Sequence, residues 1–192
     1  SSTTSHHLVL LHGAAFTKED WKTSGILQSF CRQHVTVTAL DLSVQAKHKE
    51  LIRVLDALAS ETLRDGGAPL LSSFPVTGLV TPSASGSTIL DGIMTGQADV
   101  LKEMIRLWIP VAANASLRYS VEELSNVKGW PILAIYGDQD PAGKKSSELW
   151  REVASATVVE LKGRHPVYLD SPVEFVETIM QLLGELPHPD LL

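Results

Sequence analysis

The sequence predicts a doubly wound, mostly parallel α/β sheet with helices on both faces. Six short runs of apolar or β-branched residues alternate with segments of helical periodicity, which is the pattern of strands joined by crossover helices. Some of these runs are apolar at consecutive positions, as in strands that are covered on both sides. The length of 192 residues suits one domain with a sizeable core. We therefore expect residues 1–192 to form a single domain.

The predicted strands are short and end at small or polar residues. The first, HLVLL, closes at His12-Gly13, and the second, VTVTAL, ends at Asp41. In open α/β sheets ligands bind at the carboxyl ends of the strands, so the residues after each run are the candidate site. The six predicted strands are His7–Leu11, Val35–Leu40, Val76–Val80, Leu107–Ala112, Pro131–Tyr136 and Thr157–Leu161.

The predicted helices are segments with apolar residues at helical spacing, some with start signals. Ser120 with Glu123 makes a capping-box pattern, and Ser171-Pro172 with Glu174 places an N-cap, a first-turn proline and an acidic residue in order. The segment Asp65–Pro75 carries two Gly and two Pro and is predicted to be a loop. The predicted helices are Lys18–Gln33, Glu50–Leu63, one opening at Thr88–Met94, Ser120–Val127, Ser146–Ala154 and one from Ser171 to about Leu183.

The composition argues against several classes of protein, namely nucleic-acid-binding, membrane-spanning and disulfide-bonded proteins. The net charge of −6 gives no reason to expect nucleic acid or an anionic membrane as a partner, and no apolar run approaches the roughly 20 residues of a membrane span. The N-terminal stretch SSTTSHH lacks the features of a signal peptide. Cys31 is the single cysteine, so no intrachain disulfide can form. We expect a cytoplasmic or nuclear monomer that acts on a small molecule, with a protein partner left open.

The stretch TPSASGS after the third predicted strand holds the candidate nucleophile. A nucleophile elbow needs small residues two before and two after the serine, because its backbone is strained and closely packed. Both Ser83 and Ser85 satisfy this requirement. Ser83 lies three residues beyond Val80, the last clear strand residue, so the register favours Ser83. A polar loop, with Ser85 or Ser87 as a helix cap, is the alternative interpretation.

An acid and a base follow at the ends of later strands. Gly137 allows a tight turn, after which Asp138 and Asp140 compete for the role of the acid. The pattern strand-G-x-x-D favours Asp140, whereas Asp138 suits an Asx turn. His165 lies on the loop before the last helix, 25 residues after Asp140, which leaves room for one helix and one strand. The order Ser, Asp, His predicts a catalytic triad for acyl chemistry.

The loop after the first strand is the candidate oxyanion hole. The backbone N–H of Ala14 or Ala15 is predicted to act with that of Ala84, the residue after the nucleophile. Gly13 gives this loop its freedom to turn, and His12 is expected to be structural. The alternative is an ordinary strand end that has no part in chemistry.

These residues resemble the α/β-hydrolase superfamily and, more closely, the α/β-hydrolase-domain-containing protein 14 family. The resemblance lies in the stretches LVLLHGAAFTKEDW, TPSASG, IPVAA, IYGDQDPAG and GRHPVYLDSPVEF, which together span nearly the whole chain. In that family's elbow the nucleophile is the serine after proline, which corresponds to Ser83, and the acid and base correspond to Asp140 and His165. Thr81 is bulkier than the usual elbow residue, and from the family pattern we expect this chain to lack the N-terminal hairpin of the fold.

The resemblance implies an α/β-hydrolase fold with a minimal lid or none. It also implies a small serine hydrolase that cleaves short acyl esters and needs neither metal nor cofactor. Two alternatives remain open at this point. One is an acyltransferase or deacylase that passes the acyl group to a thiol or amine acceptor, and the other is a binding module that keeps the triad without catalysis.

Overall fold

Six parallel strands form one sheet in the order β2-β1-β3-β4-β5-β6. The computed structural model describes residues 6–61 and 76–186. Because every described pairing is parallel, the carboxyl ends of all six strands meet at one edge of the sheet. The strands are β1 His7–Leu10, β2 Thr36–Ala39, β3 Val76–Pro82, β4 Ile105–Val111, β5 Leu133–Gly137 and β6 Thr157–Leu161.

Helices cover both faces of this sheet. Alternate residues of β1 point to opposite faces: Leu8 packs in one apolar cluster and Val9 in the other, and both are fully buried. Helices α1 Lys18–Thr23, α2 Ile26–Arg32 and α8 Pro172–Glu185 lie on the Leu8 face. Helices α3 His48–Glu61, α4 Gly86–Met94, α5 Ala98–Met104 and α6 Pro141–Ala154 lie on the Val9 face. The predicted doubly wound, parallel α/β sheet is confirmed.

The prediction of one helix over Lys18–Gln33 is wrong, because two helices occupy this segment. Gly25 has φ +81°, a left-handed conformation that glycine adopts without the steric cost that other residues incur. The first helix ends here, where the Ser24 N–H donates to the Asp20 carbonyl and the Gly25 N–H donates to the Lys22 carbonyl. The chain therefore turns at Gly25 before α2 begins.

Ser120–Val127 is not an α-helix either. The capping-box contacts do form, with the Ser120 N–H donating to Glu123 Oε2 (2.8 Å) and the Glu123 N–H to Ser120 Oγ (3.3 Å). Beyond them the chain makes turns and a short 3₁₀ helix, Ser125–Val127. A capping box alone does not produce a helix when the segment is too short for its later hydrogen bonds to offset the unfavourable free energy of forming the first turn.

Two helices were not predicted, and one predicted cap acts differently. Helix α5 and the short helix α7 Val167–Asp170 lie between predicted elements. The Ser171 hydroxyl donates to the Lys162 carbonyl (2.6 Å) rather than capping α8. The predicted loop Asp65–Pro75 lies outside the described residues. No helix in the described parts of the chain has the length and apolarity that crossing a membrane requires.

Candidate active site

The end of β3 makes a sharp, strained turn at Ser83. The strand runs through Pro82, and Ser83 then adopts φ +51° at the start of a 3₁₀ turn that leads into α4. A positive φ is uncommon for a residue other than glycine and marks a site held by its surroundings. A side chain at Gly86 would place its Cβ 2.7 Å from the Ala113 Cβ, so the helix packs closely behind the turn. This is the geometry of a nucleophile elbow.

The two candidate serines have different partners. Ser83 Oγ lies 2.7 Å from His165 Nε2. Ser85 is buried, and its hydroxyl donates to the Pro82 carbonyl (2.8 Å), inside the turn. The structure therefore brings Ser83, and not Ser85, to the histidine.

Thr81, bulkier than the small residue usual in this elbow, has a partner that accounts for its hydroxyl. The side chain is fully buried, and its Oγ1 accepts a hydrogen bond from Trp108 Nε1 (2.9 Å). The Trp108 ring also stacks on Trp130, with centroids 5.5 Å apart, and meets the edge of Trp150 at 4.7 Å. The residue two before Ser83 is thus anchored in the core.

Asp140 and His165 extend the contact from Ser83. His165 Nδ1 lies 2.6 Å from Asp140 Oδ2, and the carboxylate requires that this nitrogen carry the proton, which leaves Nε2 to accept from the Ser83 hydroxyl. The second oxygen of Asp140 accepts from the Gly143 N–H (3.0 Å) at the N-terminus of α6, where the helix dipole favours negative charge. Asp140 is 8% exposed, whereas the His165 side chain is 41% exposed.

The loop after β1 lies beside Ser83. The Phe16 N–H donates to the Gly13 carbonyl (3.1 Å) in a tight turn, and a Cβ at Gly13 would lie 3.7 Å from the Ser83 Cβ. Ala14 and Ala15, at the tip of the turn, are exposed. His12 Nδ1 lies 2.9 Å from the Gly13 carbonyl, which agrees with a structural role for that histidine. Ala84 follows Ser83 in the 3₁₀ turn at the end of β3.

The carboxylate of Asp41 fixes the far end of this loop. It accepts from the Lys18 main-chain N–H (2.8 Å) and pairs with the Lys18 ammonium (3.3 Å). The main-chain hydrogen bond from Lys18, together with the nearby charge, lowers the pKa of Asp41 from its usual value. The end of β2 is therefore tied to the first residue of α1.

A mainly apolar pocket of about 140 Å³ opens over Ser83. Two of its lining residues, Phe16 and Tyr168, meet edge to face with ring centroids 6.1 Å apart, and Tyr168 also stacks on Trp21 at 4.4 Å. Burial raises the pKa of the Tyr168 hydroxyl, so this wall stays uncharged. The pocket is lined by Gly13, Ala14, Ala15, Phe16, Pro82, Ser83, Val111, His165, Pro166 and Tyr168.

Comparisons with known proteins agree with this fold. No family model matches the chain. "Putative protein-lysine deacylase ABHD14B" of Rattus norvegicus is 28% identical over 195 residues, covering 93% of this chain and 83% of that protein. "Protein ABHD14A" of Homo sapiens is 29% identical, covering 94% of this chain and 65% of that protein. The solved structure of a predicted CIB-like hydrolase from Thermoplasma acidophilum superposes with a TM-score of 0.65 at 19% identity, covering 97% of this chain and 89% of that one.

The chain has the α/β-hydrolase fold and is similar to the ABHD14 proteins. The sequence does not predict two features of this site. Tyr168 lies on α7, an element that the periodicity did not indicate, and its aromatic contact with Phe16 could not be read from spacing. The sequence offers Asp138 as a competitor for the acid or as part of an Asx turn, and neither interpretation predicts that its Oδ1 accepts a hydrogen bond from the Gly163 N–H (2.9 Å).

The described residues contain no group of three or more His, Cys, Asp or Glu side chains arranged to hold a metal ion. The site's polar groups are instead the hydroxyl, imidazole and carboxylate of Ser83, His165 and Asp140. Such a set can generate a nucleophile and move a proton, as acyl chemistry requires.

Proposed function

We propose that this protein is a serine hydrolase that cleaves short acyl esters, or related acyl groups, through Ser83, His165 and Asp140. The observation that supports the proposal best is the hydrogen-bonded chain of 2.6 and 2.7 Å from Asp140 through His165 to Ser83, which ends in an apolar pocket. A loop serine, a loop aspartate and a loop histidine have no structural need to meet in this order at one edge of a sheet.

In the proposed first half-reaction, Ser83 Oγ attacks the carbonyl carbon of the acyl group while His165 Nε2 takes the hydroxyl proton. Asp140 holds the imidazole in the tautomer that accepts this proton and stabilises the imidazolium. The tetrahedral intermediate collapses, the bond to the leaving group breaks, and the leaving group takes the proton from His165. The acyl group is then bound to Ser83 as an ester.

In the second half-reaction, a water molecule gives a proton to His165 and attacks the acyl-enzyme. The acid is released and the Ser83 hydroxyl is restored. The N–H groups of Ala14 or Ala15 and of Ala84 are the proposed donors to the carbonyl oxygen as it becomes negative in both steps. A single donor of this kind typically contributes about 10²–10³ in rate.

The pocket supports a short acyl group. Its volume of about 140 Å³ is small, and Phe16, Val111, Pro166 and Tyr168 make its walls apolar. A charged acyl terminus would lose its water here without gaining a partner, so we propose neutral, short chains.

A second candidate function is deacylation of an amine or acyl transfer to an acceptor. The ABHD14B relative is named a putative protein-lysine deacylase. The partial exposure of His165 and the exposed Ala14 and Ala15 favour this possibility, because a large leaving group or acceptor could approach the base from outside. An acyl-lysine peptide assayed beside the ester with the same acyl group would separate the two functions.

A fluorophosphonate probe tests the proposal directly. We expect the wild-type protein and Ser85→Ala to be labelled, and Ser83→Ala to remain unlabelled, because only Ser83 contacts the base. Circular dichroism would verify that each variant is folded. Absence of labelling in the folded wild-type protein would contradict the proposal and favour a binding module.

A further inference from the structure

We propose that Asp138 is a positioning residue for His165. The Asp138 carboxylate accepts a hydrogen bond from the Gly163 N–H and so holds the turn before the histidine in place. The inference rests on the proposed function, because it concerns the geometry of the base in that reaction. Asp138 itself contacts neither Ser83 nor the pocket in the described hydrogen bonds and lining residues.

Besides the contact of Asp140 with His165 and the pairing of β5 with β6, three hydrogen bonds join the acid turn, residues 137–140, to the base turn, residues 161–165. The Asp138 N–H donates to the Leu161 carbonyl (2.8 Å), and the Gln139 N–H donates to the Gly163 carbonyl (3.0 Å). The third is the side-chain bond, in which Asp138 Oδ1 accepts the Gly163 N–H (2.9 Å). Gly163 is thus bound through both its N–H and its carbonyl, two residues before His165.

The base turn needs this support because of its own conformation. Gly163 has φ +143°, a conformation open almost only to glycine, and glycine loses the most freedom when a single conformation is fixed. The two turns also lie very close together: a Cβ at Gly137 would lie 2.2 Å from the Gly163 carbonyl oxygen and 2.4 Å from that of Arg164. Small displacements of Gly163 therefore change the register between the two turns.

The other side of the base turn is held by Asp170 on α7. Asp170 Oδ2 accepts from the Arg164 main-chain N–H (2.7 Å) and Nε (3.0 Å), and Oδ1 accepts from the guanidinium (2.6 Å). His165 therefore follows two consecutive residues that are anchored in different directions. Of these two anchors, the Asp138 side chain is the one that fixes the position of His165 relative to the turn carrying Asp140.

Loss of the Asp138 carboxylate leaves the acid in place. Asp140 keeps its own contacts, which are its N–H to the Gly137 carbonyl (2.9 Å) and its Oδ1 with the Gly143 N–H (3.0 Å). The expected consequence is a less well-placed imidazole beside an intact carboxylate and an intact pocket. Such a change lowers kcat more than it raises KM.

The test compares Asp138→Ala and Asp138→Asn with Gln139→Ala, whose side chain is exposed on the same turn. With p-nitrophenyl acetate we expect Asp138→Ala to lower kcat about 10- to 100-fold at a nearly unchanged KM, as misplacement of a reacting group does. Asp138→Asn keeps an acceptor oxygen, and its amide can face water because the position is exposed. We expect it, like Gln139→Ala, to stay within about threefold of the wild type.

A second readout does not depend on turnover. The proton on His165 Nδ1, hydrogen-bonded to Asp140, gives a downfield proton NMR signal that His165→Gln would assign. We expect Asp138→Ala to broaden or shift this signal and Asp138→Asn to preserve it. If the wild-type protein has no esterase activity, the proposed function fails, while this signal still decides the role of Asp138.

Two results would overturn the inference. One is an Asp138→Ala variant with wild-type kcat and an unchanged NMR signal. The other is an Asp138→Asn variant that loses as much as Asp138→Ala, which would assign the effect to charge rather than to the hydrogen bond. If Asp138→Ala does not fold, Asp138→Ser replaces it, because the shorter serine side chain leaves its oxygen farther from the Gly163 N–H. We then expect of Asp138→Ser the lower kcat and the changed NMR signal expected of Asp138→Ala.

Discussion

At the scale of single residues, the backbone of Ser83 is held against its own preference. A non-glycine residue at φ +51° costs on the order of 1–3 kcal/mol, which its surroundings must offset. Three contacts do this: the Ser85 hydroxyl on the Pro82 carbonyl, the Trp108 indole on Thr81, and the close approach of Gly86 to Ala113. The proposed nucleophile is thus strained, while its neighbours are hydrogen-bonded and packed.

The Trp108 contact can be tested against a matched tryptophan. Trp108→Phe and Trp150→Phe remove the same atoms from the same buried cluster, but only Trp108→Phe leaves Thr81 Oγ1 without its donor. Among the described residues, Trp150 Nε1 has no hydrogen-bond partner. We expect Trp108→Phe to lower the free energy of unfolding by about 1–3 kcal/mol more than Trp150→Phe does, measured by urea denaturation. Equal losses would show that the hydrogen bond to Thr81 contributes nothing.

At the scale of elements, the sequence predicted what depends on period and register, and it missed what depends on tertiary contact. The runs before His12, Thr81 and Gly137 end at the predicted edge of the sheet, because apolar strands and Gly-ended turns carry local signals. Register alone placed Ser83 ahead of Ser85. The break between α1 and α2 at Gly25, and the helices α5 and α7, depend on packing that local sequence signals do not predict. The contact of Asp138 with Gly163 cannot be predicted from local pattern, because the two residues lie 25 positions apart in the chain.

The ion pair between Arg164 and Asp170 predicts that the segment carrying His165, the proposed base, is sensitive to acid. Hydrogen bonds from Arg164 lower the pKa of the Asp170 carboxyl below its usual value of 3.8. A carboxyl with a lowered folded pKa stabilises the fold above its unfolded pKa, and this stabilisation is lost as the pH falls through the folded value.

We therefore expect the free energy of unfolding of the wild-type protein to fall on acidification below about pH 4 more steeply than that of Asp170→Asn. Urea titrations at a series of pH values between about 6 and 3 would measure the two slopes. Parallel curves for the two proteins would contradict this expectation.

At the scale of the whole molecule, the parallel sheet gathers the pocket from distant parts of the chain. Phe16 follows β1, Val111 ends β4 and Tyr168 lies on α7, yet all three line the space above Ser83. Val111 and Tyr168 both belong to the apolar cluster on the Leu8 face of the sheet, where Tyr168 also stacks on Trp21 of α1. The shape of the pocket is therefore a property of the assembled fold, and the sequence alone predicted its location but not its size.

Shortening one wall should change the preferred substrate. Phe16→Ala removes the ring that meets Tyr168 and leaves Tyr168 stacked on Trp21. Across p-nitrophenyl esters of increasing chain length, we expect the kcat/KM optimum to move to longer acyl chains. The ratio of kcat/KM for longer over shorter chains should rise at least about tenfold, since each buried CH₂ contributes about 0.8 kcal/mol. Val173→Ala, an exposed apolar position on α8, is the control and should leave the optimum in place. An unchanged optimum in Phe16→Ala would mean that the acyl chain does not contact this wall.

The contact of Gly137 with the carbonyls of Gly163 and Arg164 has a consequence for protein engineering. Because the two backbones nearly touch, a chimera that takes its acid turn from one hydrolase and its base turn from another would bring together surfaces that were not shaped for each other. Residues 137–143 and 161–171 should therefore be grafted as a single discontinuous segment. The unit of exchange in this fold is then a pair of turns far apart in the chain, rather than a continuous stretch of it.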